Sequence, residues 1–317
     1  MIEPTFMHTE FDTSDTEEAH DYLRRTYADH RPRLSGDPHG FRFHGVTTQT
    51  DLFGVELLTH TMGLRTVVEP YGSLLVPHVL TGDLRMVGPR HDMRIAPGEQ
   101  LLIPHDSRMA VQWNEGVSLG ILRIDPAAVS RYAMDTLGIV PRFDLTAPVS
   151  AAHSRYWRSV VRHVTRDVFC NPAVAASPLV RTEVFRLLAA TLLDTFGLAS
   201  AAAPEPAELL PSAVRRAREF IDEHARSDLD VADIAAAAGV SSRALQAAFR
   251  RHLDTTPLGY LRHVRLQGAH LDLCSADPKL GDTVAGIATA WGFAHLGRFA
   301  AAYRQHYGRS PRATLNG

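Results

Sequence analysis

The chain has 317 residues, of which 45% are hydrophobic and 21% are charged, and its formal net charge is −2. Such a composition is typical of a globular protein, and this length favours two domains over one. The sequence has no apolar run of membrane-spanning length and begins without a secretory signal, so we expect a cytoplasmic protein that does not span a membrane.

The N-terminal part of the chain is predicted to be rich in β-strands. A first helix is expected from Thr16 to Asp29, with Asp15 as its N-cap. Short apolar segments separated by Pro and Gly then follow at regular intervals, a pattern typical of a β-sandwich or β-barrel. The predicted strands span residues 41–46, 53–62, 64–69, 73–81, 83–87, 93–95, 99–103, 108–113 and 116–124.

One segment of this region resembles a known barrel. Residues 96–105, with the sequence Ala-Pro-Gly-Glu-Gln-Leu-Leu-Ile-Pro-His, are similar to the second half of a cupin barrel. Cupin enzymes hold a metal with two closely spaced histidines, a carboxylate and a later histidine. Here Leu80 stands where the second histidine of the pair is needed. Because His78 and His105 alone make a poor metal site, we expect neither a metal nor another cofactor.

The predicted barrel also contains candidates for a small-molecule site. A ligand pocket combines mostly apolar walls with a few convergent polar groups, and alternate residues of a strand share one face. Each candidate taken alone is more often a core or surface residue than a ligand contact. The polar and aromatic residues that suit such a pocket are His44, His60, Arg65, Tyr71, His78, His105 and Trp113.

Residues 126–197 are predicted to be helical. Asp125 caps a helix that begins at Pro126, and longer helices are expected over residues 153–168, with Tyr156, Val160, Val161 and Val164 at helical spacing, and 178–196. The last of these carries a leucine stripe that is broad for a helix lying on one barrel. Its leucines either complete the core or pair two copies of the chain in a homodimer, and both interpretations stay open.

The composition changes after these helices. Residues 198–210, rich in Ala and Pro, are predicted to be a linker. Residues 212–317 then hold 14 basic and 10 acidic residues, so the C-terminal part is positive although the whole chain is not. Cys170 and Cys274 lack the spacing of a metal site, and we expect them to be buried free thiols.

The C-terminal part contains one pattern twice. Each copy reads as a helix, a tight turn at a glycine and a second helix. The offset between the copies is 53 residues up to the glycine and 54 after it, so the second turn is one residue longer. The repeated positions are Ile234-Ala235, Gly239-Val240, Leu245, Phe249 and Thr256-Pro257, matched by Ile287-Ala288, Gly292-Phe293, Phe299, Tyr303 and Ser310-Pro311.

A long helix, predicted from Pro257 to about Ser275, joins the two copies. Its apolar stripe gives both helical hairpins a shared core. A stiff connection of this kind would fix the distance between the second helices of the two copies. The predicted stripe consists of Leu258, Leu261, Leu266 and Leu271.

The second helix of each copy is predicted to expose a face suited to the major groove of DNA. Arginine pairs with guanine and glutamine with adenine in that groove, and helix N-termini can hold phosphates. The candidates for base contact are Arg243, Gln246, Ala247, Arg250, His295, Gly297, Arg298 and Ala301. The candidates for phosphate contact are Ser241, Ser242, Arg251, Thr256, Arg304, Ser310 and Arg312.

These motifs carry a family resemblance. Residues 212–315 resemble the double helix-turn-helix domain of the AraC/XylS family of bacterial transcription regulators. The resemblance lies in Thr256-Pro257, Tyr260-Leu261-Arg262, Arg265-Leu266, Ile287-Ala288, Gly292-Phe293, Phe299, Tyr303-Arg304 and Tyr307-Gly308-Arg309-Ser310-Pro311. It implies that residues 41–125 form the cupin-type sensor domain of such regulators.

The resemblance also assigns the reading residues. It implies that Arg243, Gln246 and Ala247 face bases in one groove, and that Gly297, Arg298 and Ala301 face the next. Ala247 and Ala301 stand where many relatives carry Arg or another long polar residue. We therefore expect more of the specificity to come from thymine methyl contact or DNA shape.

The sequence thus predicts a two-domain α+β protein with a cupin-like β-barrel and trailing helices, followed by an all-α DNA-binding domain. The expected domains are a ligand-sensing and dimerisation domain over residues 1–197 and a DNA-binding domain over residues 211–317. We expect a non-enzymatic activator, associated with the nucleoid, that binds double-stranded DNA, a small-molecule effector and RNA polymerase. A metal-dependent cupin enzyme fused to a DNA-binding domain and an architectural DNA binder without a ligand remain as alternatives.

Overall fold

The structure of the protein, a computed structural model, describes residues 7–27, 30, 32–88, 91–197 and 211–316. The chain divides into two compact units, Met1–Ala201 and Ala202–Gly317. The predicted linker, residues 198–210, lies outside the described residues. Among the described helices, none has both the length and the apolar character needed to cross a bilayer.

The first unit is built on two five-stranded antiparallel sheets. Its strands are β1 (Met7–Thr13), β2 (Arg33–Ser35), β3 (Phe43–Gln49), β4 (Phe53–His60), β5 (Gly63–Val68), β6 (Leu74–Thr81), β7 (Leu84–Val87), β8 (Asp92–Ile95), β9 (Met109–Trp113) and β10 (Val117–Ile124). The first sheet has the order β1-β3-β4-β10-β6 and the second the order β2-β5-β9-β7-β8. Strands β1 and β2 were not predicted from the sequence.

The facing sides of the two sheets share one hydrophobic core. Phe43 and Leu58 from the first sheet lie in the same buried cluster as Leu64, Met86 and Val111 from the second. Alternate residues of each strand therefore point into this core, and the other face of the first sheet is left for the helices that follow.

Of the two predicted alternatives, a β-sandwich or a β-barrel, the structure has the open form, because among the described residues the two sheets do not join along a continuous ladder. Leu75 and Ile103 exchange both backbone hydrogen bonds. Pro77 accepts one from Leu101 but has no N–H to return it, so the ladder is interrupted there. Residues 99–103, predicted as a strand, make only isolated bridges, and the unit is an open sandwich.

The α-helices in the described part of the first unit are α1 (Thr16–Thr26), α2 (Pro126–Leu137), α3 (Ala151–His163), α4 (Pro172–Ala175) and α5 (Pro178–Phe196). The side chains of Asp15 and Asp125 accept hydrogen bonds from the first turns of α1 and α2, which confirms both predicted N-caps. Helix α3 continues into a π-helical turn over Val164–Phe169.

Helices α3 and α5 form a second core with the outer face of the first sheet. Leu188 and Leu192 of α5 are buried in the same cluster as Leu74 and Val76 of β6. The leucine stripe of α5 is thus largely used within the chain, which favours the core interpretation over pairing with a second copy. Leu179 lies outside this core and is 80% exposed.

Two further expectations about the helical region need correction. Tyr156, placed by its spacing on the buried stripe of α3, is 54% exposed, whereas Val160 and Val164 are buried. Cys170 is exposed and only Cys274 is buried, although both are free thiols. Cys170 lies directly after the π-helical turn and follows the buried pair Val168 and Phe169.

Residues 211–316 of the second unit form helices joined by turns, without a β-strand. Its helices are α6 (Ser212–His224), α7 (Val231–Ala238), α8 (Ser242–Leu253), α9 (Pro257–Ser275), α10 (Val284–Ala290), α11 (Leu296–Tyr307) and α12 (Pro311–Leu315). Helix α9 is the predicted joining helix, and its Leu261, Leu266 and Leu271 are buried. Leu258 is 47% exposed, because the buried side of the first turn of α9 is formed by Pro257 and Leu261 instead.

Candidate nucleic-acid interface

Both copies of the repeat make the same tight turn. Gly239 has a φ of +68° and Gly292 a φ of +73°, a left-handed conformation that penalises any side chain. The N–H of Val240 and the N–H of Phe293 each donate to the carbonyl five residues earlier, at 3.1 and 3.0 Å. The glycine turns are therefore confirmed in both copies.

The two turns differ in how the next helix begins. Ser241 lies two residues after Gly239 and caps α8 by accepting a hydrogen bond from the backbone N–H of Ala244 at 3.2 Å. His295 lies three residues after Gly292 and stands at the N-cap of α11 without a side-chain hydrogen bond to the helix. The extra residue of the second turn is thus visible, and α11 begins with free N–H groups.

The exposed faces of α8 and α11 carry the predicted base-contact residues. All eight of them, Arg243, Gln246, Ala247, Arg250, His295, Gly297, Arg298 and Ala301, are exposed. Among the described residues, the guanidinium groups of these arginines have no hydrogen-bond or ion-pair partner, so each face presents uncompensated positive charge. Such side chains are available for base edges or phosphates.

The predicted phosphate contacts fall into two groups. Arg251, Arg304 and Arg312 are exposed, while Ser242 is only partly so. Thr256 and Ser310 are equivalent N-caps in the two copies, accepting hydrogen bonds from the backbone at 3.0 and 3.2 Å. The capping oxygens are therefore occupied, and the N-terminal N–H groups that they leave free are the groups available to a phosphate.

The inner faces of α8 and α11 anchor these helices. Leu245, Phe249 and Phe299 are fully buried, as the spacing predicts. Tyr303 is also fully buried, and its hydroxyl donates to Oγ1 of Thr314 at 2.8 Å. The outer face of each helix is thus held in a fixed orientation by a packed inner face.

The structural role of Arg265 was not predicted. Its guanidinium donates to the carbonyls of Ala225 and Ser227, both at 2.7 Å, at the end of α6. The same group lies against Gly292, where an added Cβ would come within 2.9 Å of the guanidinium carbon. Arg265 therefore ties α6 to the turn of the second copy, and its position in the sequence motif gave the only signal.

In the first unit, the seven predicted ligand residues do not converge on one site. His60 and Trp113 lie in the core between the sheets, with ring centroids 5.5 Å apart. Burial lowers the pKa of His60 to about 4, so its imidazole is neutral and donates from Nδ1 to the carbonyl of Met62 at 2.7 Å. His44 lies on the outer face of the first sheet, where its Nδ1 contacts a carboxylate oxygen of Asp12 at 2.7 Å.

The other four predicted residues are partly buried and dispersed. The His105 ring makes an edge contact with Phe143, and the Tyr71 ring makes one with Tyr27. Arg65 lies on β5, in the second sheet. His78 faces away from the inter-sheet core, into the groove described next.

The cavities of this unit differ greatly in size. The space between the sheets, lined by Tyr27, His30 and Trp113 among others, has a volume of about 60 Å³, which is too small for an organic ligand. A groove between the outer face of the first sheet and α3 has a volume of about 920 Å³. A small molecule therefore has room in the groove and not between the sheets.

Metal-binding potential is confined to one surface cluster within the part of the chain that the structure describes. Glu10, Asp12 and His44 place one possible ligand atom each within 4.8 Å of one another. All three are at least partly exposed, and exposed acidic groups are common in proteins without a bound ion. Neither His78 nor His105 belongs to the cluster, so the residues that resemble a cupin metal site do not assemble one.

Comparison with known proteins gives matches to both units. Residues 19–193 match the family described as an AraC-binding-like domain, and residues 214–317 match a helix-turn-helix domain family. The chain is 36% identical over 174 residues to the probable thc operon regulatory protein of Rhodococcus erythropolis, a match that covers 55% of this chain and 52% of that protein.

A second relative aligns over most of both chains. The XylDLEGF operon transcriptional activator of Pseudomonas putida is 26% identical over 304 residues, covering 93% of this chain and 91% of that protein. Among solved structures, a probable AraC family transcriptional regulator from Rhodopseudomonas palustris CGA009 is 35% identical. That match covers 33% of this chain and 96% of the other, with a TM-score of 0.31.

Proposed function

Because the chain belongs to the AraC/XylS family of transcription regulators, we propose that α8 and α11 read two neighbouring major grooves of one DNA duplex. The protein is an AraC-type transcriptional activator with an AraC-binding-like N-terminal domain. The observation that carries the proposal is the duplicated geometry. Two equivalent turns each present a helix with a packed inner face and an exposed face of partnerless arginines.

The base contacts follow from side-chain chemistry. In the first helix, Arg243 and Arg250 supply bidentate donors suited to guanine, and Gln246 suits adenine. In the second helix, Arg298 is the equivalent donor. The small residues Ala247, Gly297 and Ala301 allow close approach and, in the case of alanine, contact with a thymine methyl group.

The phosphate contacts follow from the helix ends. Ser241, Thr256 and Ser310 begin α8, α9 and α12, and N–H groups at such ends attract anions. Arg251, Arg304 and Arg312 add positive charge at the rims of the two reading faces. These contacts position the protein on DNA and carry no sequence information themselves.

The first unit is proposed to bind a small-molecule effector that changes DNA occupancy and contact with RNA polymerase. Such control requires the effector to bind the active and inactive states with different affinity. A homodimer through helices within residues 153–196 stays part of the proposal, although the burial of the α5 leucines leaves less apolar surface for it. The alternative of a metal-dependent enzyme is not favoured, because the described cupin-like histidines form no ligand cluster.

The experiment that tests DNA reading is recovery of genomic fragments bound by the full chain, followed by methylation protection of the recovered sites in the complex. We expect two protected major-groove segments on one face of the duplex, separated by about 10 base pairs. A single protected segment, or binding without sequence preference, would contradict reading by both helices.

A further inference from the structure

The groove between the first sheet and α3 has an apolar floor. Val46, Leu57 and Leu80 line it from three different strands, and the last two are 37% and 43% exposed. Apolar side chains at the bottom of a concave surface of about 920 Å³ are typical of small-molecule sites. The floor therefore suits a flat or elongated hydrocarbon body.

Gly120 creates part of this space. It lies in the middle of β10, the strand that pairs with both β4 and β6, and a Cβ added there would meet no atom within 4 Å. Its φ is not left-handed, so the backbone does not require glycine. A glycine inside a strand weakens the sheet and often marks a place where a ligand approaches closely.

Arginines form one wall of the groove. Arg155, Arg158, Arg162 and Arg166 recur at three- and four-residue spacing and share one side of α3 and its π-helical turn. Arg158 donates to the carbonyl of Gly98 at 3.1 Å. Within the described residues, the guanidinium groups of the other three have no partner, so positive charge faces the apolar floor.

The charges along this wall repel one another. Arg158 and Arg162 lie four residues apart, as do Arg162 and Arg166, and like charges at this spacing disfavour a helix. Among the described residues that line the groove, Glu56 is the single acidic one, and its side chain is 4% exposed and lies near Arg123. The wall therefore lacks an internal counter-charge, and an anion bound between the arginines would relieve the repulsion.

The π-helical turn at the end of the wall is a second unusual feature. Val164–Phe169 interrupts the regular helix, and Thr165 and Arg166 of this turn line the groove. Turns of this kind are rare and frequently occur at functional sites. Here the turn alters the rotation of the helix at Arg166, and the neighbouring Thr165 hydroxyl donates to the carbonyl of Val161 at 2.9 Å.

We propose that this groove binds an amphipathic organic anion, with an apolar or aromatic body over Gly120 and a phosphate or several carboxylates between the arginines of α3. Guanidinium groups match phosphate oxygens bidentately, and the span from Arg155 to Arg166 is about 16 Å along a helix axis, enough for more than one anionic group. The consequence for DNA occupancy rests on the proposed control by an effector.

The test uses the full chain and measures binding calorimetrically without DNA. The probe is 2-naphthyl phosphate, compared with 2-naphthol, which has the same body without the charge, and with inorganic phosphate. We expect the probe to bind at least about tenfold more tightly than either comparison compound. The double variant Arg162→Ala/Arg166→Ala should weaken the probe about tenfold and leave 2-naphthol unchanged.

A second variant tests the floor. Gly120→Leu fills the groove and should weaken both naphthyl compounds by about tenfold or more, because the added side chain occupies their space. Arg131→Ala is the matched control, since Arg131 is an exposed arginine of α2 that does not line the groove. Circular dichroism of each variant without ligand checks that the fold is retained.

The outcomes separate this inference from the proposed function. No binding of the probe to the wild-type chain, or binding that survives both groove variants, would overturn the groove as an anion site. Binding of the probe that is weakened by both groove variants supports the groove as an anion site. If such binding leaves DNA occupancy unchanged, the site stands and control of transcription through it is refuted.

Discussion

Gly268 of α9 lies directly beneath the indole ring of Trp291, at the end of α10. A Cβ built on Gly268 would overlap the ring atoms, so glycine is required by this close approach. The ring is held from its other sides, because its Nε1 donates to Asp272 at 2.7 Å and the Arg226 guanidinium lies 4.3 Å from its centre. This contact is thus one of those that fasten the second hairpin to the joining helix.

Substitution of Gly268 should loosen that attachment. We expect Gly268→Ala to destabilise the second unit by about 1–3 kcal/mol, because the fixed indole cannot yield and overpacking forces strain. Hydrogen exchange of the full chain should show faster exchange in α9 and α10 with no change in the first unit. Gly297→Ala is the control, since its Cβ meets open space, and it should leave exchange unchanged or slower.

The reading helices give a prediction about specificity. Arg243→Ala or Arg298→Ala should each cost about 1–3 kcal/mol at one base position and relax the preference there. Binding to a library of single-base operator variants measures this effect, and Arg131→Ala serves as the control. Uniform weakening across the library, with a shallower salt dependence, would show instead that the arginine contacts phosphate.

The helical unit was predictable because its signals are local. Gly239 and Gly292 terminate helices through their own backbone conformation, and Thr256 and Ser310 cap helices through atoms three residues away. The first unit was less predictable because its strands are stabilised by pairing between residues that lie far apart in the sequence. Strand β1 is polar and mostly exposed, and it is stabilised by pairing with β3. The hydrophobic periodicity of its own sequence does not indicate this pairing.

The groove could not be predicted from the sequence for the same reason. Gly120 inside a predicted strand and the arginine spacing on α3 were both visible in the sequence. Gly120 and these arginines come together only because α3 packs over the first sheet, and the sequence pattern does not predict this packing. The predicted histidines suit a ligand site inside a barrel. In the open sandwich, side chains fill the space between the two sheets, so no such site forms there among the described residues.

The buried His60 predicts a loss of stability in acid. Burial lowers its pKa from 6.5 to about 4, so the folded state resists the proton that the unfolded chain accepts. Stability from this group is fully present above pH 6.5 and is lost as pH falls toward 4, by about 3 kcal/mol at most. Urea unfolding across this range should show His60→Asn gaining stability relative to the wild type as pH falls, and a difference that does not change with pH would contradict the assignment.

Glu56, four residues earlier on β4, predicts the opposite slope. Burial raises its pKa from 4.5 to about 7, against the pull of Arg123, so the folded state keeps a proton that the unfolded chain has lost. Stability from this group is present below pH 4.5 and is lost as pH rises through 7, again by about 3 kcal/mol at most. Glu56→Gln, which cannot ionise, should gain stability relative to wild type as pH rises through this window.

The two groups oppose each other between pH 4.5 and 6.5, where His60 favours folding more strongly as pH rises and Glu56 less strongly. The wild-type stability should therefore be nearly flat in this interval, while His60→Asn falls and Glu56→Gln rises with pH. Urea midpoints of the three proteins measured at a series of pH values test this divergence. Parallel curves would show that neither group has the shifted pKa that its burial implies.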